Sequence, residues 1–322
     1  MRALLMQLMA DGRREKVLKT DCPEPSAPEG NQFKIRTLFS GITNGTERNN
    51  LLRGNYSMPD AALPYGYGYQ NVGRVIEVGP DCKKSQVGDL VYTSQDHREF
   101  LMEVEDGLLI KLPDSVDPKH AALFGVASVA MHDVRRAETM LGDRVLVVGA
   151  GPIGQFTAQS ARAAGAHVTV ADLDTHRLDL AGQCGAHKTI QITGDDSWSG
   201  PVREAGPFDA VFEDSGADVL GKIIGVGWGD GVIKHRGKVV VIAGREDVVY
   251  RFNSGQGKEV AVLQASHFDN SDLAEVVRLV SVGIILVEPL IQDVVKPDQA
   301  KRIYDTLRDK PNALMGTVFD WR

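Results

Sequence analysis

Short apolar or alternating runs dominate the first third of the chain. Phe33–Leu38, Val72–Val78, Asp89–Tyr92, Phe100–Val104 and Leu108–Lys111 each read as a strand, punctuated by Gly and Pro clusters such as Pro59–Pro64 and Gly79–Pro80. No helical periodicity there extends beyond about two turns. The texture changes at Pro118. Lys119–Glu138 reads as one helix, with Leu123, Val126, Val129, Ala130 and Val134 along one side. Strands are then expected at Arg144–Gly149, His167–Asp172, Lys188–Ile192, Phe208–Asp214 and Lys238–Ala243. Helices are expected at Pro152–Ala164 and Thr175–Gln183, and a Gly-rich helix-like segment precedes Lys238. Glu259–Gln264 would be a sixth strand and Ser271–Val282 a helix. The tail reads as strand, helix, strand over Leu290–Val295, Asp298–Arg308 and Leu314–Asp320. The β-α-β rhythm predicts an α/β fold with a doubly wound parallel sheet covered on both faces.

The 322 residues are enough for about two domains. Apolar residues at 43% and charged residues at 25% exclude a disordered chain. Asp and Glu number 43 against 36 Lys and Arg, a net charge of −7 with no offsetting basic run. That argues against nucleic acid or an anionic membrane as the main partner and leaves a small molecule. Cys22, Cys82 and Cys184 lie far apart, with no spacing suited to a metal knuckle, and so low a count fits a reducing cytosol. The N-terminal stretch lacks the apolar core and cleavage site of a signal peptide, and no apolar run reaches about 18 residues. The expectation is a soluble, cytoplasmic protein.

The sharpest signal is the segment from Arg144 to Gly154, an apolar strand running into Gly149-Ala-Gly151-Pro152-Ile153-Gly154 with a helix behind it. Gly149 permits the tight turn, Gly151 lets backbone amides approach a pyrophosphate, and Gly154 lets the helix sit close to the strand. The helix start, at Pro152 and Ile153, supplies free N–H groups and a positive dipole. Asp172 ends the next strand, 18 residues after Gly154, where a carboxylate binds both ribose hydroxyls and repels a 2′-phosphate. This favours NAD. His176 and Arg177 keep NADP open, because a nearby Arg can accept that phosphate.

Further segments carry a resemblance. Ser40-Gly-Ile-Thr43 resembles a G-I-C turn. Gly68-Tyr-Gln-Asn-Val-Gly73 with Arg74–Gly79 is similar to G-H-E-x-x-G-x-V-x-x-V-G, Val87–Val91 looks like V-G-D-R-V, and Leu178–Ala186 resembles R-L-x-x-A-x-x-x-G-A. Together with the Ser128–Arg136 segment these resemble the medium-chain dehydrogenase/reductase family over nearly the whole chain, with a texture closest to the sorbitol-type polyol dehydrogenases. The resemblance implies a GroES-like β-barrel catalytic domain at 1–117, a Rossmann dinucleotide-binding domain at 118–269 and a segment at 270–322 that returns to the first. It extends the nucleotide site to Ser215 and Ala243. It also implies a homodimer or homotetramer paired through the last strand of the nucleotide sheet, near Val260–Leu263.

The departures carry as much as the matches. In zinc-dependent members the metal ligands fall at positions that here hold Thr43, Tyr69 and Gly125, with Gln70 beside Tyr69. No thiol or imidazole remains at any of them, although zinc needs such donors for tight binding. The four-cysteine lobe is missing too. A zinc-free oxidoreductase is expected, with no metal site. The Gly45-Thr46-Glu47 turn resembles that of the zinc-free bacteriochlorophyllide dehydrogenases. Tyr69 then either donates a hydrogen bond to a substrate oxygen or packs into the vacant metal cavity. Thr43 and Thr46 either relay a proton or are satisfied turn hydroxyls. His97 is a candidate acid/base, although a surface-loop histidine is the plainer reading. Glu47 and Arg48 are either an ion pair on the cleft rim or merely solvated, and solvated is the plainer reading. Tyr56, Tyr65, Tyr67 and Tyr69 form either core or the wall of an apolar pocket. The leading expectation is NAD(P)-linked interconversion of an alcohol and a carbonyl. An enoyl or quinone reductase, faintly suggested by Arg53-Gly-Asn-Tyr56, and a nucleotide-binding redox sensor without turnover are the alternatives.

Overall fold

The computed structural model describes residues 1–227 and 229–322. The chain forms two compact units. One comprises residues 1–125, 269–281 and 290–322, the other residues 126–268 and 282–289.

The first unit is β-rich and GroES-like. Its strands up to residue 111 are β1 (Ala3–Leu8), β2 (Arg14–Lys19), β3 (Gln32–Gly41), β4 (Tyr65–Gly66), β5 (Asn71–Val78), β6 (Leu90–Thr93), β7 (Phe100–Val104) and β8 (Leu109–Lys111). A small antiparallel sheet has the order β2-β1-β4. In the larger sheet β3 pairs antiparallel with both β5 and β7, β5 with β6, and β6 with β8. Two C-terminal strands, Ile291–Val295 and Gly316–Asp320, extend this sheet, the latter pairing antiparallel with Phe39–Gly41 of β3, beyond the stretch that β7 covers. The end of the chain therefore completes the first unit. Helix Ala300–Asp309 packs its Ile303, Tyr304 and Leu307 with Leu4, Met6 and Trp321.

Strands β1 and β2 escaped the hydrophobic pattern. Leu4 and Met6 alternate inward on β1, but the inward positions of β2 are Arg14 and Lys16, both buried. The pattern also hid helix α1 (Asn44–Leu51), whose buried residues are Glu47, Asn50 and Leu51. Each buried cation is matched. Arg14 pairs with Asp60 at 2.7 Å and donates to Asn50 O at 2.9 Å. Lys16 faces Glu47.

The single helix expected over 119–138 is two: α2 (Pro118–Ala121) and α3 (Phe124–Arg136). Asp117 caps the first through Lys119 N–H, and Leu123 N–H turns back to His120 O at 3.0 Å, which ends it.

The second unit is a Rossmann fold. Its strands are β9 (Arg144–Val148), β10 (His167–Asp172), β11 (Lys188–Gln191), β12 (Phe208–Glu213), β13 (Ile233–Val241) and β14 (Ala261–Gln264). All are parallel, in the order β11-β10-β9-β12-β13-β14. The order reverses at β9, the switch point where such sheets bind nucleotides. Alternate residues serve opposite faces. Leu146, Val148, Val211 and Val239 join one core, while Val145, Val147, Val168 and Phe212 join the other. That is why the strands read as continuous apolar runs. Among the described residues no helix is long and apolar enough to cross a membrane.

Candidate functional site

The glycine turn and the helix behind it form where the sequence placed them. Helix α4 (Pro152–Ala163) starts directly after the glycine turn, with Gly151 at the N-cap and Pro152 in the first turn. Gly149 has φ +99°, and a Cβ there would lie 2.8 Å from Ser215 N. A Cβ on Gly154 would fall 1.8 Å from Gly149 O, so glycine alone lets the helix meet the strand end. Gly151 is different. A Cβ built there meets only Arg177 Nη1, at 3.9 Å, so the space before the helix terminus is open.

Asp172 ends β10 and accepts from Ala150 N at 2.5 Å and Asp174 N at 2.8 Å. An ionised carboxylate offers about four acceptor positions, so capacity for ribose hydroxyls remains. Helix α5 (Thr175–Gln183) carries Arg177 and is tied to the turn by Gln155, whose Nε2 donates to Ala150 O and Arg177 O. Ser215 rests against Gly149, and a Cβ on Gly216 would lie 3.3 Å from Ala243. All the expected nucleotide residues therefore converge at the carboxyl ends of β9, β10, β12 and β13. These residues fit a dinucleotide.

Two acids of this region were not foreseen. Glu213 is fully buried and takes the N–H groups of Ser215 and Gly216, while pairing with Arg245 from the loop after β13. Asp214 lies against Gly154, with the Thr157 side chain as its nearby polar neighbour. Burial pushes its carboxyl well above the ordinary carboxylate range.

In the first unit stand Thr43, Tyr69 and Gly125, the residues that the resemblance set at the metal-ligand positions. Thr43 is buried at the start of α1, and its hydroxyl donates to Glu47 Oε1 at 3.1 Å. Tyr69 is half-buried and hydrogen-bonded to the Thr46 side chain, which also bonds Tyr56. Burial pushes the Tyr69 phenol up, so it keeps its proton across the physiological range. At Gly125 no side chain fits, since a Cβ would come within 2.4 Å of the Tyr92 hydroxyl. That hydroxyl donates to Tyr69 O at 2.6 Å. The neighbouring Gln70 Nε2 donates to Ile42 O at 3.3 Å. Two hydroxyls and a glycine do not fit a zinc ion. Among the described residues no three His, Cys, Asp or Glu side chains converge elsewhere to replace them.

Two expectations are corrected here. Glu47 is not a solvated rim residue but is fully buried, and Arg48 donates to Leu307 O at 3.1 Å rather than pairing with it. His97 is not on a surface loop. It too is fully buried, with Nδ1 2.8 Å from Ser40 Oγ and Nε2 3.2 Å from Glu47. Burial opposes ionisation of Glu47, but His97, Lys16 and Tyr304 outweigh it and hold the carboxyl down, to about 2. Nothing in the hydrophobic pattern signals that one carboxylate gathers Thr43, Lys16, His97 and Tyr304, because these lie on four separate elements.

Comparisons with known proteins set the chain among dehydrogenases. Residues 152–282 match the model of the zinc-binding dehydrogenase family. A D-guloside 3-dehydrogenase of Shigella flexneri is 30% identical over 277 residues, covering 78% of this chain and 75% of its own. Sorbitol dehydrogenase 1 of Saccharomyces cerevisiae is 27% identical over 324 residues, covering 88% and 89%. The crystal structure of 2R,3R-butanediol dehydrogenase from Bacillus subtilis superposes with a TM-score of 0.85 over 99% of both chains, at 21% identity.

Proposed function

Because this chain belongs to the medium-chain dehydrogenase/reductase family of oxidoreductases, we propose that it interconverts a secondary alcohol and a carbonyl with NAD(H) and without zinc. The observation that carries the metal-free reading is the set Thr43, Tyr69 and Gly125, with Tyr92 closing the third position. The relatives' names, sorbitol and guloside dehydrogenases, support a small hydroxylated substrate. Gly149, Gly151, Gly154 and Asp172 would hold the cofactor, which when bound supplies or accepts the hydride. The remaining task is at the substrate oxygen, where charge develops as the carbonyl is reduced. Tyr69 donates a hydrogen bond there, and Thr46 orients the phenol. In the oxidative direction the same hydroxyl pair would hold the alcohol oxygen, and the alcohol's proton would pass through these hydroxyls to solvent water as the hydride leaves to the bound cofactor. Asp172 supports NAD over NADP, through ribose hydrogen bonds and repulsion of a 2′-phosphate.

The test is turnover after exhaustive chelation. The purified protein is offered NAD with an alcohol panel, and NADH with a carbonyl and enone panel. The reading expects unchanged rates and far less than one zinc per chain. Rates lost on chelation and restored by zinc would refute it.

A further inference from the structure

The first unit contains a buried ion cluster that the reaction as proposed does not touch. Lys16 on β2, Glu47 on α1, His97 in the loop before β7 and Tyr304 in the C-terminal helix are all closed off from solvent. Glu47 is the hub. Its Oε1 accepts from Thr43 N at 2.8 Å and from Thr43 Oγ1 at 3.1 Å, and its Oε2 accepts the Tyr304 hydroxyl and faces Lys16 Nζ at 3.6 Å.

The proton inventory is consistent. Trp321 Nε1–H donates to Ser40 Oγ at 2.8 Å, leaving the Ser40 proton for His97 Nδ1 at 2.8 Å. His97 Nε2 lies 3.2 Å from both carboxyl oxygens of Glu47. Glu47 thus sits between two nitrogen partners, Lys16 Nζ at 3.6 Å and His97 Nε2 at 3.2 Å, with the Tyr304 and Thr43 hydroxyls also donating to it. Ser40, His97 and Glu47 lie in the order of a Ser–His–Glu array. None is accessible to a substrate, so they are not a nucleophilic site.

The cluster reaches both segments that carry the candidate donors. On one side Glu47 fixes the start of α1, and with it Thr43 and Thr46. On the other, Lys16 Nζ donates to Tyr67 O at 2.5 Å, and the His97 ring lies on Gly68. Gly68 has φ +133°, and a Cβ there would come within 2.8 Å of His97 Nε2, so position 68 requires glycine on both counts. Tyr69 follows directly.

We propose that Lys16, Glu47 and His97 are positioning residues that lock the 43–47 and 67–69 segments together and so set the Tyr69–Thr46 pair. A metal would cross-link its ligand segments, and here a buried ion pair with its hydrogen bonds does so. This inference rests on the reading that Tyr69 and Thr46 serve the substrate oxygen.

The test compares Glu47→Asp, Lys16→Met/Glu47→Gln and Tyr69→Phe for kcat, NADH affinity, melting temperature and amide hydrogen exchange. Glu47→Asp keeps the charge but retracts the carboxylate by one methylene. It should lower kcat about 10²-fold, as a misplacement of about 1 Å does, while NADH affinity stays unchanged. Exchange at residues 43–47 and 67–69 should speed up together. The double variant removes both charges and so leaves no buried ion unpaired. It should recover much of the melting temperature lost by Glu47→Gln alone, yet keep the low kcat. Glu47→Asp or the double variant with wild-type kcat, or with exchange unchanged in either segment, would overturn the inference. Full turnover in Tyr69→Phe would instead refute the donor reading, while exchange would still report on the coupling of the two segments.

Discussion

The glycine turn makes a two-part prediction because its second and third glycines meet different surroundings. Gly154→Ala places a Cβ 1.8 Å from Gly149 O and 2.9 Å from its carbonyl carbon. Ordinary contact needs more than 3 Å, so α4 or the turn must shift by roughly 1.5 Å, an overpacking strain of about 1–3 kcal/mol. At about 2–4 °C per kcal/mol for a unit of this size, the melting temperature should drop by roughly 2–12 °C, and nucleotide binding should fail with it. Gly151→Ala is the contrasting case. Its backbone, φ −69° and ψ −177°, suits alanine, and the only neighbour of the new methyl lies 3.9 Å away. The protein alone should melt at the wild-type temperature or slightly above, since alanine reduces the freedom of the unfolded chain. Its NADH affinity should nevertheless fall at least about tenfold, because the methyl fills the space through which backbone amides approach a pyrophosphate. Melting curves with and without NADH, together with a fluorescence titration, separate the two effects. Wild-type NADH affinity in Gly151→Ala would refute the placement of the pyrophosphate at this turn.

Two further outcomes follow from the acids around the cradle. Asp214 has a folded-state pKa raised above its unfolded value near 4, so the wild type loses stability as pH rises from about 4 toward that folded value. Asp214→Asn should therefore melt higher than wild type by a margin that is small at pH 4 and grows toward pH 8, as scanning calorimetry across pH would record. Asp172→Ser should narrow the preference for NADH over NADPH by about tenfold or more, measured by titrating both; tighter NADPH binding by the wild type would mean that the strand end is misread.

Much of the architecture was legible because buried parallel strands must be apolar throughout. Val145–Val148 and Val168–Ala171 announce themselves, and the glycine turn sits where its chemistry requires. The first unit was harder to read. Its strand β2 turns Arg14 and Lys16 inward, and α1 buries Glu47, so the usual link between charge and exposure is inverted in both. An isolated Lys or Glu in a sequence reads as solvated because burying it alone is prohibitive. Burial becomes tolerable only when the partner arrives from elsewhere, and Lys16 and Glu47 lie 31 residues apart, on different elements. Tyr304, which completes the cluster, is a further 257 residues along from Glu47. His97 was misplaced for the same reason. The departures at the positions that the resemblance assigns to metal ligands, in contrast, were plain in the sequence, since each is a change of donor type. What needed the structure was the reason nothing else could fill the third position, the Tyr92 hydroxyl standing over Gly125.

The central claim is that hydroxyl donors serve the substrate oxygen in place of a metal, and Tyr69→Phe tests it most directly. The substitution keeps the ring and removes only the donor. One preorganised donor to a developing oxyanion is worth about 3–4 kcal/mol, or roughly 10²–10³ in rate. With the best substrate from the panels and chelated enzyme, kcat should fall by about two orders of magnitude while NADH affinity is unchanged. Near-wild-type kcat in Tyr69→Phe would contradict the account and leave the phenol a packing residue.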